Sequence, residues 1–451
     1  MNSIKQDSSM ISTWKKFPAA QQPNWGDEKT LTAYTEQLRQ LPPLVFAGEI
    51  ENLKNQLALA GEGKAFVVQG GDCSESFKEC TAVTIRETLK VILQMSIVLS
   101  FAGKKRVVKV GRIAGQYAKP RSSDTETIDG VTLPSYRGDM VNREKFTAED
   151  RKADPKNMLD GYFRAAVTLN LLRAFTKGGF ASLKNVHIWN KEFVKTSEQG
   201  IHYEQLASQI DESISFMESI DLNPLSDPNL KEVDLFTSHE ALLLDYEDAM
   251  VRKDSISGDY YDCSGHLLWI GDRTRQEDGA HVEFFSKLKN PVGIKIGLKY
   301  DLPSMIRIIR KLNPENEKGK IVLICRFGAD KIAEHLPGII QAVSKENLNV
   351  VWICDPMHGN TYTAGSYKTR DFNKIFAEIE KFFSIHGAEG TNPGGIHIEL
   401  TGLDVTECVG GAQKLTESGL SRNYASNCDP RLNAQQSIEL AFRLADMIRK
   451  S

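Results

Sequence analysis

Four cations stand at or inside short apolar runs: Arg112 after Arg106–Val110, Arg273 after His266–Ile270, Lys295 within Val292–Ile296, and Arg326 after Ile321–Cys325. A cation in such a place ordinarily pairs with a surface carboxylate, and none of the four is informative alone. Brought onto one rim they would repel, so their convergence requires an anion with more than one charge, gripped by guanidinium forks and a lysine point charge. A small molecule bearing both a phosphate and a carboxylate has that chemistry. A second set, Cys73, His358, Glu399 and Asp429, offers one thiol, one imidazole and two carboxylates. Mixed soft and hard donors suit a borderline divalent ion such as manganese, cobalt, iron or zinc better than magnesium or calcium. No local spacing joins the four. Each also has an ordinary alternative: a buried free thiol, a loop imidazole, a salt bridge and, for Asp429 before Pro430, a helix N-cap. Lys119-Pro120-Arg121-Ser122-Ser123 supplies two cations and two hydroxyls, as a second phosphate site would, with a solvated loop as the alternative.

Residues this far apart meet only if the fold gathers distant strand ends. Eight short runs have strand character: Ala65–Gln69, Arg106–Val110, Val233–Thr237, His266–Ile270, Val292–Ile296, Ile321–Cys325, Val350–Cys354 and Ile396–Leu400. From the third onward they alternate with helical patterns such as Pro303 to Leu312, Lys331 to Val343 and Phe372 to Phe383. The expected fold is therefore α/β, a (β/α)8 TIM barrel, with its active site at the C-terminal ends of the strands. In a closed ring, strands one, seven and eight are neighbours, which brings Cys73, His358 and Glu399 together, with Asp429 following strand eight. The last helix is expected to open at Asp429-Pro430 and run through Ile448. Two regions fall outside the repeat. Residues 1–60 read as an N-terminal extension, in which Phe17 to Trp25 is an extended arm that needs another surface to order it. A helical insertion of about 120–232 separates strands two and three, with helices opening at Asp154-Pro155 and spanning His202 to Ile220. Residues 61–451 are otherwise expected to form one catalytic barrel domain.

Bulk properties narrow the partners. With 451 residues, 41% hydrophobic and 25% charged, the chain can bury a large core, and a formal charge of -3 gives no footprint for nucleic acid or an anionic membrane. The apolar stretch Val91 to Gly103 is broken by Gln94, Ser96 and Ser100, falls short of the roughly 20 residues that span a bilayer, and reads as a buried helix. Met1 to Met10 lacks a signal core, so a cytoplasmic location is expected. Seven cysteines without Cys-x-x-Cys pairs point to reduced thiols rather than a disulfide framework or a zinc ribbon.

The strand-end segments, taken together, resemble the type II 3-deoxy-D-arabino-heptulosonate 7-phosphate synthases. The resemblance is carried by Gln69-Gly70-Gly71-Asp72-Cys73, by Val110-Gly111-Arg112 through Lys119-Pro120-Arg121-Ser122, and by Tyr136-Arg137-Gly138-Asp139-Met140. It continues through Thr237-Ser238-His239-Glu240, Trp269-Ile270-Gly271-Asp272-Arg273, Asp355-Pro356-Met357-His358, and Gly394-Gly395-Ile396-His397 with Glu399. It implies a metal held by Cys73, His358, Glu399 and Asp429, with manganese or cobalt first and zinc or iron next. It also implies phosphoenolpyruvate bound by Arg112, Arg273, Lys295 and Arg326 with the backbone near Asp272. Lys119 and Ser122 would face the phosphate of erythrose 4-phosphate. Where the family often has Glu, this chain has Asp272, a change that a backbone contact survives. Arg273, Lys295 and Arg326 would stabilise departing phosphate, and Glu240 would orient or deprotonate water. Cys428, beside Asp429, is expected to pair with Cys73 on oxidation of metal-free protein. A homodimer or homotetramer is expected, with aromatic amino acids as inhibitors and the insertion and arm as the places to look for both contacts. The anion and metal inventory alone also fits another metal-dependent barrel aldolase or lyase on a phosphorylated sugar, or a barrel retained as a binding scaffold.

Overall fold

A computed structural model describes residues 12–196, 200–220 and 232–450. Met1 to Met10, read above for a leader, and 221–231 of the insertion lie outside them. Strands β1 (Ala65–Gly71), β2 (Arg106–Arg112), β3 (Phe236–Glu240), β4 (Leu267–Ile270), β5 (Val292–Ile296), β6 (Ile321–Cys325), β7 (Val351–Cys354) and β8 (Pro393–Glu399) close a parallel barrel. Its order is β1-β8-β7-β6-β5-β4-β3-β2, so the (β/α)8 expectation holds and β1, β8 and β7 are neighbours. β5, β6 and β7 are buried at every residue, which is why they read as unbroken apolar runs. Register levels the ring: Gly71 pairs with Arg112 on one side and Glu399 on the other, so three chemically informative strands end together.

Helices α1 (Glu28–Gln40), α2 (Ala47–Gly61), α3 (Ala82–Gly103), α4 (Lys156–Lys177), α5 (Leu183–Thr196), α6 (Gly200–Ser219), α7 (Leu244–Met250), α8 (Ala280–Phe285), α9 (Leu302–Leu312), α10 (Ile332–Lys345), α11 (Phe372–Ala388) and α12 (Ala434–Lys450) accompany the strands. Their starts have local causes: Asp301 caps Ser304 N–H at 2.8 Å ahead of Pro303 in α9, and Asp371 caps Asn373 N–H at 2.7 Å in α11. α2 packs across the N-terminal end of the barrel, where Leu53, Leu57 and Ala60 meet Val67, Val108, Val322 and Ile353. The Val91 to Gly103 stretch is the inner part of α3, and no helix of the described residues is long and apolar enough to cross a membrane.

Two boundaries differ from expectation. The third strand is Phe236–Glu240 rather than Val233–Thr237, so Ser238, His239 and Glu240 are inside it. Two of these polar side chains tolerate the strand because they find interior partners: Ser238 receives Gln69, and His239 meets Glu247. The last helix starts at Ala434, not Asp429. Asn433 is its cap, its Oδ1 accepting Gln436 N–H at 2.9 Å and its own N–H donating to Gln436 Oε1 at 3.3 Å. Leu432 is instead extended, bridging Leu400, and the N-cap alternative for Asp429 is thereby removed.

The arm is ordered by the chain's own barrel. Trp14 and Trp25 are buried, Trp14 Nε1 donates to Asp248 at 3.2 Å, and Gln22 bonds the backbone of Leu242 and Leu244. Between β2 and β3 come a hairpin, Thr125–Ile128 with Val131–Pro134, and then α4 to α6. Two further hairpins are Val251–Lys253 with Tyr260–Asp262, after α7, and Thr361–Ala364 with Tyr367–Arg370, after β7.

Candidate active site

All twelve residues singled out from the sequence line one cavity of about 410 Å³ at the C-terminal ends of the strands. β1 leads into Cys73, β2 ends on Arg112, β3 on Glu240 and β8 on Glu399, while Lys295 projects from within β5. Asp272 and Arg273 follow β4, Arg326 follows β6, His358 opens the turn after β7, and Lys119 and Ser122 come from the segment after β2. Asp429 comes from the loop after β8. Backbone freedom is needed at Gly71, whose φ is +145°, because a Cβ there would lie 2.4 Å from Arg112 O. At Gly271 a Cβ would sit 2.0 Å from Glu240 Oε1, so glycine leaves room for that carboxylate.

Among the described residues, one cluster suits a cation: Cys73 Sγ and carboxylate oxygens of Glu399 and Asp429 lie within 4.8 Å of one another. His358 Nε2 is 3.1 Å from Glu399 Oε1, and Asp355 Oδ2 meets His358 Nδ1 at 2.8 Å, which orients the ring with Nε2 towards the cluster. Lys119 Nζ touches Cys73 Sγ at 2.7 Å and Asp429 Oδ2 at 2.5 Å, so positive charge is already drawn to these donors. Burial opposes ionisation of Glu399, but His358 and Arg370 outweigh it and hold the carboxyl well below its ordinary range. Asp429 is likewise held down, against burial, by Lys119. A thiol, an imidazole and two carboxylates at these spacings fit a divalent ion. Burial pushes the Cys73 thiol well up, and Cys428 hydrogen-bonds it; all seven cysteines are free thiols.

The cations lie beside this cluster. Arg112 is buried, donating to Asp72 O at 2.9 Å and Glu399 Oε1 at 3.1 Å. Lys295 Nζ is 2.5 Å from Asp355 Oδ2; burial lowers its pKa against the pull of Asp355. Trp269 lies under both, 5.1 Å from Arg112 and 5.6 Å from Lys295. Arg326 is 3.3 Å from Asp272 Oδ2, and Asp272 Oδ1 also takes Arg275 Nε at 3.0 Å and Gly297 N–H at 3.1 Å. The Asp272 side chain thus has work of its own, aiming Arg326, which a backbone-only role did not foresee. Arg273 is exposed at the mouth and donates to Ser122 Oγ at 3.1 Å. Burial raises Glu240 above the usual carboxylate range although Lys295 and Arg112 pull it back, and its Oε1 has no protein partner.

Several contributors were missed. Arg370, fully buried on the hairpin after β7, donates to Glu399 Oε2 at 2.7 Å and to Pro430 O, tying two distant segments of the site together. Lys368 on the same hairpin reaches Asp429 Oδ1 at 3.1 Å. Glu75 accepts the N–H groups of Ala114, Gly115 and Gln116 at 2.7–2.9 Å and pins the loop after β2. Position after β7 was the only sequence signal for the hairpin pair; Glu75 had none.

The class-II DAHP synthetase family matches residues 9–445. A phospho-2-dehydro-3-deoxyheptonate aldolase of Streptomyces coelicolor is 51% identical over 446 residues, covering 99% of this chain and 98% of that protein. One of Mycolicibacterium smegmatis is 47% identical over 438 residues, 96% of this chain and 93% of that protein. A truncated 3-deoxy-D-arabino-heptulosonate 7-phosphate synthase from Thermotoga maritima aligns at 13% identity and a TM-score of 0.35, covering 85% of this chain and 86% of that one. Matched along nearly its whole length by that family, and by two curated relatives at about half identity, the chain belongs to the class-II DAHP synthetase family.

Proposed function

We propose that this cavity condenses phosphoenolpyruvate with D-erythrose 4-phosphate and water, giving 3-deoxy-D-arabino-heptulosonate 7-phosphate and phosphate, the first step of the shikimate route to chorismate and the aromatic amino acids. The observation that carries the reading is the meeting of Arg112, Arg273, Lys295 and Arg326 with the Cys73, Glu399 and Asp429 cluster in one cavity. Arg112 and Lys295 at the floor, with Arg273 and Arg326 nearer the opening, hold the phosphate and carboxylate of phosphoenolpyruvate. Lys119, Ser122 and the neighbouring Arg121 and Lys368, which line the same cavity, hold the second substrate's phosphate. A divalent ion on Cys73, His358, Glu399 and Asp429, manganese or cobalt before zinc or iron, would supply Lewis-acid polarisation of the aldehyde. Carbon–carbon bond formation from C3 of phosphoenolpyruvate leaves positive character at C2, where water adds. Glu240 is placed to orient that water or take its proton, its raised pKa bringing it nearer to neutrality. As phosphate leaves, Arg273, Lys295 and Arg326 stabilise the charge without reorganising.

The working unit in this reading is a barrel of residues 61–451, with the 1–60 extension and the insertion of about 120–232 serving assembly and control, in a cytoplasmic homodimer or homotetramer. A cavity of about 770 Å³ between α3, β2 and the insertion combines Leu93, Ile97, Phe101, Val186 and Ile214 with Lys109, Arg106 and Asp234. That mixture suits an aromatic amino acid, which carries an apolar ring and a zwitterionic head, and supports inhibition from this place.

The test is consumption of phosphoenolpyruvate with and without erythrose 4-phosphate, repeated after chelation and with single metals restored, with the product identified by mass. Activity that needs both substrates, vanishes on chelation and returns with manganese or cobalt supports the reading. Turnover untouched by a chelator would sink the metal assignment, and a different product would sink the substrate assignment.

A further inference from the structure

Six buried or half-buried side chains at the cavity floor form a closed ring. Lys295 Nζ meets Asp355 Oδ2 at 2.5 Å, Asp355 Oδ2 meets His358 Nδ1 at 2.8 Å, and His358 Nε2 meets Glu399 Oε1 at 3.1 Å. Glu399 Oε1 takes Arg112 Nη2 at 3.1 Å, and the ring closes at His397, whose Nε2 is met by both Arg112 Nη1 and Lys295 Nζ, the latter at 3.0 Å. Elsewhere in the ring every contact includes a carboxylate, Asp355 or Glu399. At the closure two cations face each other with only an imidazole between them.

Lysine and arginine have no acceptor, so Nε2 must offer its lone pair to both, and the proton of the neutral ring must sit on Nδ1. Gln69 Oε1 lies 2.7 Å from Nδ1 and accepts that proton. Gln69 Nε2 donates to Ser238 Oγ at 2.9 Å, and Ser238 Oγ donates to Gly111 O at 3.0 Å. The orientation of the amide, and with it the tautomer, is thus set by β1, β2 and β3, and His397, Gln69 and Ser238 are all 0% exposed. The Trp269 ring stands edge-on to the imidazole, 5.3 Å away at 85°.

We infer that His397 is a positioning residue for phosphoenolpyruvate: its Nε2 lone pair ties the Arg112 guanidinium to the Lys295 ammonium and fixes their spacing, while Gln69 holds the tautomer that makes this possible. The inference rests on the reading that Arg112 and Lys295 grip phosphoenolpyruvate. A hydrogen bond to a charged group is worth enough for a loss of about tenfold in affinity when it goes.

Phosphoenolpyruvate affinity of the metal-loaded enzyme, measured by calorimetry beside the KM of each substrate, is the test. His397→Leu removes the acceptor and weakens phosphoenolpyruvate binding by about tenfold, with the KM for erythrose 4-phosphate unmoved. His397→Gln places an amide oxygen near the Nε2 position and recovers most of that loss. Gln69→Met leaves Nδ1 without its acceptor and shifts phosphoenolpyruvate affinity in the same direction by less. Unchanged affinity in His397→Leu, equal losses for both substrates, or His397→Gln as weak as His397→Leu overturns the proposal. Should His397→Leu fail to fold by circular dichroism, unchanged affinity in Gln69→Met overturns it instead. Lys295→Met and Arg112→Met are measured in parallel. Full affinity in those variants would refute the substrate-site reading itself, whereas loss there with none in His397→Leu refutes only the positioning role.

Discussion

Two kinds of residue make this site: those whose chemistry reaches the cavity and those that aim them. Cys73 is of the first kind, the one soft donor among the grouped ligand atoms. Cys73→Ala is expected to abolish metal-dependent turnover while leaving the far-ultraviolet circular dichroism and Tm close to the parent, since one small buried side chain is lost; full activity in that variant would refute its role as a ligand. Arg370 is of the second kind. Its guanidinium joins Glu399 to the backbone beside Asp429, and it is fully buried. Arg370→Met takes from Glu399 Oε2 its donor while Oε1 keeps Arg112 and His358, and should lower metal affinity by roughly 10- to 100-fold and stability by about 3 kcal/mol. Metal titration and denaturant unfolding check the two effects separately, and an unaltered metal affinity would remove Arg370 from the site.

At the scale of elements, the loops hold their charges in place because helices behind them reach through to the backbone. Glu378 on α11 accepts the N–H groups of Phe327 and Gly328 at 3.1 and 2.9 Å, directly after Arg326, and also Asn360 Nδ2 at 2.7 Å, two residues beyond His358. One buried carboxylate therefore fixes the loops after β6 and β7 together. Glu378→Ala orphans these donors and is expected to cost about 3 kcal/mol; it should also raise the KM for phosphoenolpyruvate through Arg326, which steady-state kinetics would reveal as a KM effect larger than the kcat effect. The elements also mark where local pattern stops being informative. β5, β6 and β7 were legible because both of their faces are buried, so hydrophobicity alone outlines them. β3 was misplaced by three residues because Ser238 and His239 find their partners elsewhere in the chain, Gln69 and Gly111 for the first and Glu247 for the second, while Gln116 accepts the Glu240 N–H. The start of α12 was misread because Asp-Pro looks like a helix opening, while the partner that draws Leu432 into extended form is Leu400, directly after β8.

For the whole molecule, the cost of burying charge shapes how stability responds to pH. Behind β3, Glu247 meets His239 Nε2 at 3.1 Å and receives Ser264 Oγ at 2.7 Å, with Glu247 and His239 both almost fully buried. Burial raises Glu247 from 4.5 to about 7 and lowers His239 to about 4. A carboxyl whose folded value lies above its unfolded one contributes stability that is fully present below the unfolded value and is lost as pH rises through about 7. Glu247→Gln keeps a neutral group there and should flatten the fall of Tm between pH 5 and 8, by an amount on the order of 2 kcal/mol at the upper end. Calorimetric melting across that range checks it, and a slope equal to the parent's would mean the group does not titrate as described.

By itself the sequence determined the number of barrel strands, the closure into a ring, and the inventory of charges delivered to one rim. Each follows from short-range pattern: runs of buried residues make strands, and the residues directly after them must emerge at the same face. It also determined the family, through motifs at those strand ends. Only the tertiary structure decided which groups touch. Arg370 and Lys368 enter the site because a hairpin after β7 folds over it, Asp429 is freed because the last helix does not open until its cap at Asn433, and His397 becomes the link between two cations because β1, β2, β5 and β8 bring Gln69, Arg112 and Lys295 around it. These contacts join residues tens to hundreds of positions apart. The sequence does not encode them as spacing, since their geometry exists only once the barrel has closed.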